Sequence, residues 1–443
     1  MREYLLTLCV TAAVTYLLTG PVRKFAIVAG AMPQIRARDV HREPTPRLGG
    51  IAMFFGLCAG LLVAAHLTNL GEVFTTSKEP QALLSGAALI WIIGVLDDKF
   101  EIDALIKLGG QMIAAGVMVL QGLTVLWLPI PGAGLVSLSE WQGNLLTVAL
   151  VLITINAVNF VDGLDGLAAG MVCIAASAFF LYCYRIWYGY GIEAAAPGTL
   201  FTAILIGMCL GFLPHNMHPA RIFMGDSGSM LIGLVLAAAA VSVTGQVDWD
   251  QLSQEVGSTR GATYMSLPIF IPLLLPLTII AIPMADLVLA VVRRTWNGQS
   301  PFAADRGHLH HRLLEVGHSH SRAVLIMYFW SALIAFGTLA YSVHDDSMWI
   351  VLVIISFSAV GLGLLLLPRF KPHAPSWAGS FVPPRYRRPS PERAPAGAAR
   401  EDGPAREDGP AESGTERTPV GVTANGSTAI GHRPRFTDSR NAR

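Results

Sequence analysis

A 443-residue chain that is 53% hydrophobic and only 14% charged cannot be an ordinary soluble protein, in which about a quarter of residues carry charge. Much of that charge falls in the final segment after Lys371, so the region before it is apolar enough only for a multi-pass membrane protein. A net charge of +1 gives no basis for binding nucleic acid. The five cysteines (Cys9, Cys58, Cys173, Cys183 and Cys209) sit in apolar runs without a CxxC pair, indicating neither disulfides nor a metal site.

Hydropathy predicts an all-α, polytopic integral membrane protein. Eleven spans are expected, at about 3–20, 49–68, 82–96, 105–122, 144–161, 167–188, 199–213, 228–245, 265–292, 323–342 and 347–367. The first lacks a convincing cleavage site and is expected to be retained. With the N-terminus outside, the inner loops hold fourteen Lys and Arg against four on the outer side, and the C-terminus falls in the cytoplasm. The organisation is then a membrane domain at 1–370 and a cytoplasmic tail at 371–443. The tail is rich in Pro, Gly, Arg and Glu, repeats REDGPA at 400–405 and 406–411, and has too few large apolar residues to bury a core, so disorder is expected.

The polar motifs follow in chain order, and this topology puts all of them on the cytoplasmic face. The first inner loop ends in HREPTPRLGG (41–50). Its basic residues, Arg47 among them, either anchor the topology or face an anion, with Gly49-Gly50 letting backbone approach a phosphate. The third span ends in GVLDDKFEIDALIK (94–107), with Asp97 and Asp98 adjacent. Paired carboxylates repel unless a cation lies near, and neighbours on a helix point about 100° apart, which suits two different roles better than one chelate. A solvated helix end is the plain alternative.

The stretch NAVNFVDGLDGLAAG (156–170) is the centre of the pattern. Asn156, Asn159 and Asp162 recur at i, i+3 and i+6, roughly one helix face, and Asp162-Gly-Leu-Asp165-Gly makes a tight turn. Carboxylates and amides are hard oxygen ligands of the kind Mg²⁺ takes. Ordinary cap and turn residues would be the bland explanation. In PHNMHPARIFMGDSGSM (214–230), Asp226 stands at a helix start whose N–H groups and dipole suit a phosphate, leaving the carboxylate for a metal, although a simple N-cap is the competing explanation. The ninth span carries four prolines and Asp286, an ionisable residue near its inner edge. The loop after it holds Asp305-Arg306-Gly307-His308, His310 and His311, with His318 and His320 beyond. No Cys or Glu completes a tetrahedral zinc site there, and a phosphate or sugar clamp fits these residues better.

Together GVLDD (94–98), NxxNxxDGxDGLA (156–168), FMGDSGS (223–229) and DRGHLHH (305–311) resemble the polyprenyl-phosphate N-acetylhexosamine-1-phosphate transferase family over most of residues 1–367. That family includes the bacterial enzymes that start O-antigen or teichoic-acid linkage units, and phospho-MurNAc-pentapeptide translocase. The resemblance implies Asp226 as the principal Mg²⁺ ligand (Mn²⁺ as a substitute) with Asn159 assisting, and Asp97 beside Asp98 handling the lipid phosphate. It implies a nucleotide-side loop at Asp162 and Asp165, where the uridine is expected, and a histidine loop, His308, His310 and His311, at the sugar-phosphate end. Asp97, Asp98, Asp162 and the three histidines are the candidate catalytic residues, and Asn156, Asn159, Asp165, Arg306 and Arg47 the candidate substrate contacts. HLHH with Arg306 ahead of it is closer to the GlcNAc branch than to the MurNAc-pentapeptide branch.

The implied substrates are a UDP-N-acetylhexosamine and undecaprenyl or another polyprenyl phosphate. The implied setting is the bacterial plasma (inner) membrane, at the first lipid-linked step of cell-surface polysaccharide synthesis, and the implied assembly is a homodimer. A transporter and a membrane metallohydrolase are the competing classes. Most of the acids lie in inner loops rather than at the midplane, which tells against a transporter, and a zinc signature is missing.

Overall fold

The computed structural model describes residues 1–32, 45–130, 134–246, 295, 319–343 and 347–366. The ninth predicted span with Asp286, the loop carrying Arg306, His308, His310 and His311, and the tail from 371 onward all lie outside these residues.

The chain forms a helical bundle. Its long helices are α1 (Arg2–Val28), α2 (Gly49–Ala65), α4 (Glu79–Phe100), α5 (Ala104–Leu120), α6 (Glu140–Val161), α7 (Leu167–Tyr184), α8 (Ala196–Asn216), α9 (Gly225–Gln246), α10 (His320–Val343) and α11 (Ser347–Leu366). A six-residue α3 (Gly71–Thr76) joins α2 to α4. A small antiparallel hairpin, β1 (Trp127–Ile130) with β2 (Gly134–Ser137), joins α5 to α6, with Trp127 opposite Ser137. By length and composition, seven helices among the described residues can cross a membrane, namely α1, α4, α6, α7, α8, α9 and α10. Gly49–Ala65, Ala104–Leu120 and Met348–Gly363 are shorter apolar helices.

Local chemistry sets the helix ends. Asp103 caps α5 by accepting from the Leu105 N–H at 2.8 Å. At the start of α6, the Ser139 N–H donates to the Gln142 side chain at 3.1 Å, as in a capping box. α4 stops where Glu101 turns left-handed (φ 49°) and its N–H closes onto the Asp97 carbonyl. α1 runs on past Pro21 and the charged pair Arg23–Lys24, and the Arg23 guanidinium reaches the Arg221 carbonyl at 2.8 Å.

Close packing of small residues holds the bundle together, as expected where lipid supplies no hydrophobic drive between helices. α1 buries Thr7, Thr11, Thr15 and Thr19, one per turn. Opposite Thr11 and Thr15 stand Gly56 and Gly60 of α2 and Gly207 and Gly211 of α8. A Cβ on any of these four glycines would run into a Thr side chain or the α1 backbone. At the centre is α9, whose apolar stretch is wholly buried and which packs against α2, α4, α6 and α8. Its Ala237–Ala240 run and Gly233, seated against Ile155 of α6, allow that crowding.

The chain passes back and forth so that one end of the bundle collects the last turns of α1, α4, α6 and α8 and the first turns of α2, α5, α7, α9 and α10. Every described motif of the preceding section is there.

Candidate active site

The N-terminus of α9 is the hub of this end. Gly225 adopts φ +68°, a left-handed conformation that a side chain disfavours, and a Cβ there would strike the Asp98 carboxylate. Asp98 accepts from the Asp226 N–H (2.7 Å), the Ser227 N–H (3.1 Å) and the Ser227 hydroxyl (2.6 Å). The helix start expected to cradle a phosphate is therefore already occupied by a carboxylate from α4, which complements the helix dipole as an anion would. The expected approach of a phosphate to Gly49-Gly50 is corrected in the same way. Their N–H groups donate to the Phe223 and Met224 carbonyls, and the Phe223 N–H returns a bond to Pro46. Gly50 is needed because Ser227 and Gly228 press against it.

Asp97 points elsewhere. It accepts from the Ile102 N–H at 3.0 Å and from Lys107 Nζ at 3.2 Å. The same Lys107 ammonium pairs with Asp226. On its other oxygen Asp226 accepts from the Asn159 amide at 2.8 Å, and that amide also donates to the Ser229 hydroxyl at 2.8 Å. Four helices thus meet around one carboxylate: α4 through Asp97, α5 through Lys107, α6 through Asn159 and α9 through Asp226. The members of the ion-paired group are only partly buried, so the group is open to a substrate while too enclosed to be a surface pair of little consequence.

Lys107 had no role in the sequence beyond its positive charge at an inner loop. Its signal was a single charge one turn into an otherwise apolar helix. Asn156, one turn behind Asn159, bonds to Gln111 of α5 at 2.6 Å and to the Leu152 carbonyl at 2.8 Å.

Asp162 ends α6. Burial first, then the Asp98 charge and to a smaller extent Asp165, together raise its carboxyl to about 7 against the opposing pull of Arg47. Arg47 thus lies where its guanidinium acts on both Asp98 and Asp162. Asp165 is buried and accepts from His218 Nδ1 at 2.7 Å and from the Ala220 N–H at 3.1 Å. The His218 ring stacks on His320 of α10, with centroids 4.3 Å apart. The turn is tied down where the Gly166 N–H donates to Asn216 and Tyr328 donates to the Gly166 carbonyl. His218 was missed in the sequence. Its signal was a histidine in the short loop between α8 and α9, three residues after His215 in the last turn of α8.

Among the described residues, two groups have the donors to hold a metal ion. Asp165, His218 and His320 bring ligand atoms within 4.8 Å of one another, but imidazoles suit zinc-like ions, and Asp165 is already bonded to His218 and to backbone. Asp226, Asp97 and the Asn159 amide are hard oxygen donors around a position that already holds positive charge, the Lys107 ammonium. That set fits a hard divalent cation better.

Acids, amides and an ammonium thus gather at one end of an apolar helical bundle of membrane-spanning character. Residues 81–244 match glycosyl transferase family 4. Decaprenyl-phosphate N-acetylglucosaminephosphotransferase of Mycobacterium tuberculosis is 45% identical over 340 residues, covering 76% of this chain and 82% of that protein. A probable undecaprenyl-phosphate N-acetylglucosaminyl 1-phosphate transferase of Bacillus subtilis is 30% identical over 359 residues, 80% of this chain and 89% of that one. Undecaprenyl-phosphate alpha-N-acetylglucosaminyl 1-phosphate transferase of Escherichia coli K12 is 30% identical over 342 residues, 75% and 82% respectively. The chain belongs to glycosyl transferase family 4 and is a transferase of the membrane.

Proposed function

We propose that this enzyme transfers N-acetylglucosamine 1-phosphate from UDP-GlcNAc to a polyprenyl phosphate, releasing UMP, at the cytoplasmic face of the bacterial plasma membrane. The observation that carries the proposal is the meeting of Lys107 and Asn159 on Asp226, with Asp97 sharing the Lys107 ammonium, at the end of an apolar bundle. A polyprenyl phosphate keeps its chain in the bilayer and its phosphate at the surface, and a nucleotide sugar arrives from the cytosol. Only a site at a membrane face admits both. Arg23, Lys24, Arg47, Lys99, Lys107, Arg221 and Arg322 lie at the site's end of the bundle, against Arg2, Lys78 and Arg185 at the other, which supports a cytoplasmic orientation.

In the reaction an oxygen of the lipid phosphate forms a bond to the sugar-bearing phosphorus of UDP-GlcNAc. The bond from that phosphorus to the bridging oxygen breaks, and UMP leaves with the oxygen and its electron pair. Asp226, Asn159 and Asp97 are the residues that would hold Mg²⁺, which when bound neutralises the pyrophosphate and the departing UMP. Lys107 offers its ammonium to phosphate oxygens once Asp226 and Asp97 are otherwise engaged. Asp98 fixes the first turn of α9 and so aims Asp226. Asp162, Asp165 and His218 form the side of the site suited to the nucleotide, with Arg47 balancing the acids. Catalysis of this kind is chiefly positional and electrostatic.

Uridine nucleotide with Mg²⁺ is expected to raise the thermal stability of the detergent-solubilised protein. Ligand at a hundredfold above its Kd adds about 2.7 kcal/mol to the native state. A melting temperature unmoved by UDP, UMP and UDP-GlcNAc, with Mg²⁺ present, would point instead to a transporter of an unrelated solute.

A further inference from the structure

Behind the Asp226 cluster lies a second polar layer, built from the same three helices and one turn deeper in the bundle. Its members are Gln111 of α5, Asn156 of α6 and Met230 of α9. Gln111 is fully buried, accepts from Asn156 Nδ2 at 2.6 Å, and directs its own Nε2 to Asn156 Oδ1 at 3.4 Å and Met230 Sδ at 3.3 Å. The front layer holds Lys107, Asn159 and Asp226. From front to back the spacing is four residues on α5 (Lys107 to Gln111), three on α6 (Asn159 to Asn156) and four on α9 (Asp226 to Met230). Each step is one helical turn, so each back residue stands behind its front partner on the same helix face.

We infer that the Gln111–Asn156 bridge is a positioning device that sets the register of α5 against α6 and thereby fixes Lys107 and Asn159 on either side of Asp226. The inference rests on the proposal that Asp226 is the metal-holding carboxylate. The front layer cannot hold that register alone, because a phosphate or cation entering the site must take Lys107 or Asn159 away from Asp226. The back layer has no such duty. Its bonds persist while the front bonds exchange, because the Gln111 end of the bridge is fully buried and has no water to turn to, while the Asn156 end is exposed on α6 and is held by Gln111 and the Leu152 carbonyl. On this inference Asn156 acts through α5.

The test uses the full-length protein in detergent, with two readouts: the Mn²⁺ concentration giving half-maximal thermal stabilisation, and steady-state transfer. Gln111→Met is expected to raise the Mn²⁺ midpoint and lower kcat each by about tenfold, as loss of an outer-layer partner does. KM for UDP-GlcNAc should stay within about twofold, since no substrate contact is removed. Asn156→Leu should do the same, and the double variant should be no worse than either single one, because both remove one bridge. The exchanged pair Q111N/N156Q, which rebuilds a bridge of the same total length, should recover most of the loss.

A Gln111→Met protein with a lowered melting temperature but an unchanged Mn²⁺ midpoint and kcat would overturn the inference, leaving a merely structural contact. So would an Asn156→Leu protein that raises KM while Gln111→Met does not. Asp226→Asn separates the two levels. Mn²⁺ stabilisation that survives it places the failure in the Asp226 assignment, whereas its loss there beside an unmoved midpoint in Gln111→Met overturns the bridge alone.

Discussion

Asp226→Asn is expected to lower transfer turnover by about 10³-fold, or about 4 kcal/mol of transition-state stabilisation, with little change in melting temperature in the absence of metal. The substitution keeps the shape of the side chain and its place in the first turn of α9. It removes the charge that Lys107 meets from one side and that Asn159 bonds from the other. Neither aspartate of α4 duplicates it: Asp98 is committed to the Asp226 and Ser227 N–H groups, and Asp97 spends one oxygen on the Ile102 N–H and meets Asp226 through Lys107. Initial rates at saturating donor and acceptor, compared with the melting temperature of the same preparation, measure both quantities. Turnover within about tenfold of the parent would remove Asp226 from the centre of the chemistry.

Lys107→Met should act in two opposite directions. The ammonium is the only described cation paired with both Asp97 and Asp226, so its loss leaves two partly buried carboxylates facing each other. Like charges in that position repel, and a divalent cation relieves the repulsion. The variant should therefore melt lower without metal, regain stability at a lower Mg²⁺ concentration than the parent, and still turn over about 10²-fold more slowly, because the donor phosphates have lost a fixed positive charge. Titrating Mg²⁺ in the thermal and transfer assays side by side checks this. A parallel weakening of metal binding and turnover would mean that Lys107 helps the metal instead of competing with it.

The bundle was largely legible in the sequence because runs of apolar residues long enough to span a membrane leave little choice of structure. Ten of the eleven expected spans correspond to helices among the described residues, seven of them long and apolar enough to cross a membrane and three shorter, and the family resemblance carried by GVLDD, NxxNxxDGxDGLA and FMGDSGS is borne out by relatives that share most of the chain. Boundaries were less legible. α4 continues to Phe100, four residues past the expected end of its span, because Asp97 and Asp98 are satisfied by Lys107 and α9 and need not unwind the helix to reach water. α8 starts at Ala196 and ends at Asn216, since Pro197 is tolerated in a first turn and Pro214 lies within the last.

The site residues were visible as types and invisible as partners. Two adjacent aspartates announce themselves, but nothing local shows that Asp97 turns to a lysine ten residues on while Asp98 crosses to the start of α9. Polar residues inside apolar spans are the stronger clue. Lys107, Gln111 and Asn156 each interrupt an apolar helix, and each is engaged by a neighbouring helix.

The most direct measurement is transfer of label from radiolabelled UDP-GlcNAc to lipid by the purified protein with Mg²⁺, supplied with decaprenyl or undecaprenyl phosphate, scoring lipid-extractable label and released UMP together. GlcNAc 1-phosphate transfer predicts label in the lipid and UMP in equal amounts, both lost in Asp226→Asn. Label with UDP-MurNAc-pentapeptide and none with UDP-GlcNAc would contradict the proposed sugar. No transfer from either donor, in a protein whose stability also ignores uridine nucleotides, would contradict the reaction itself.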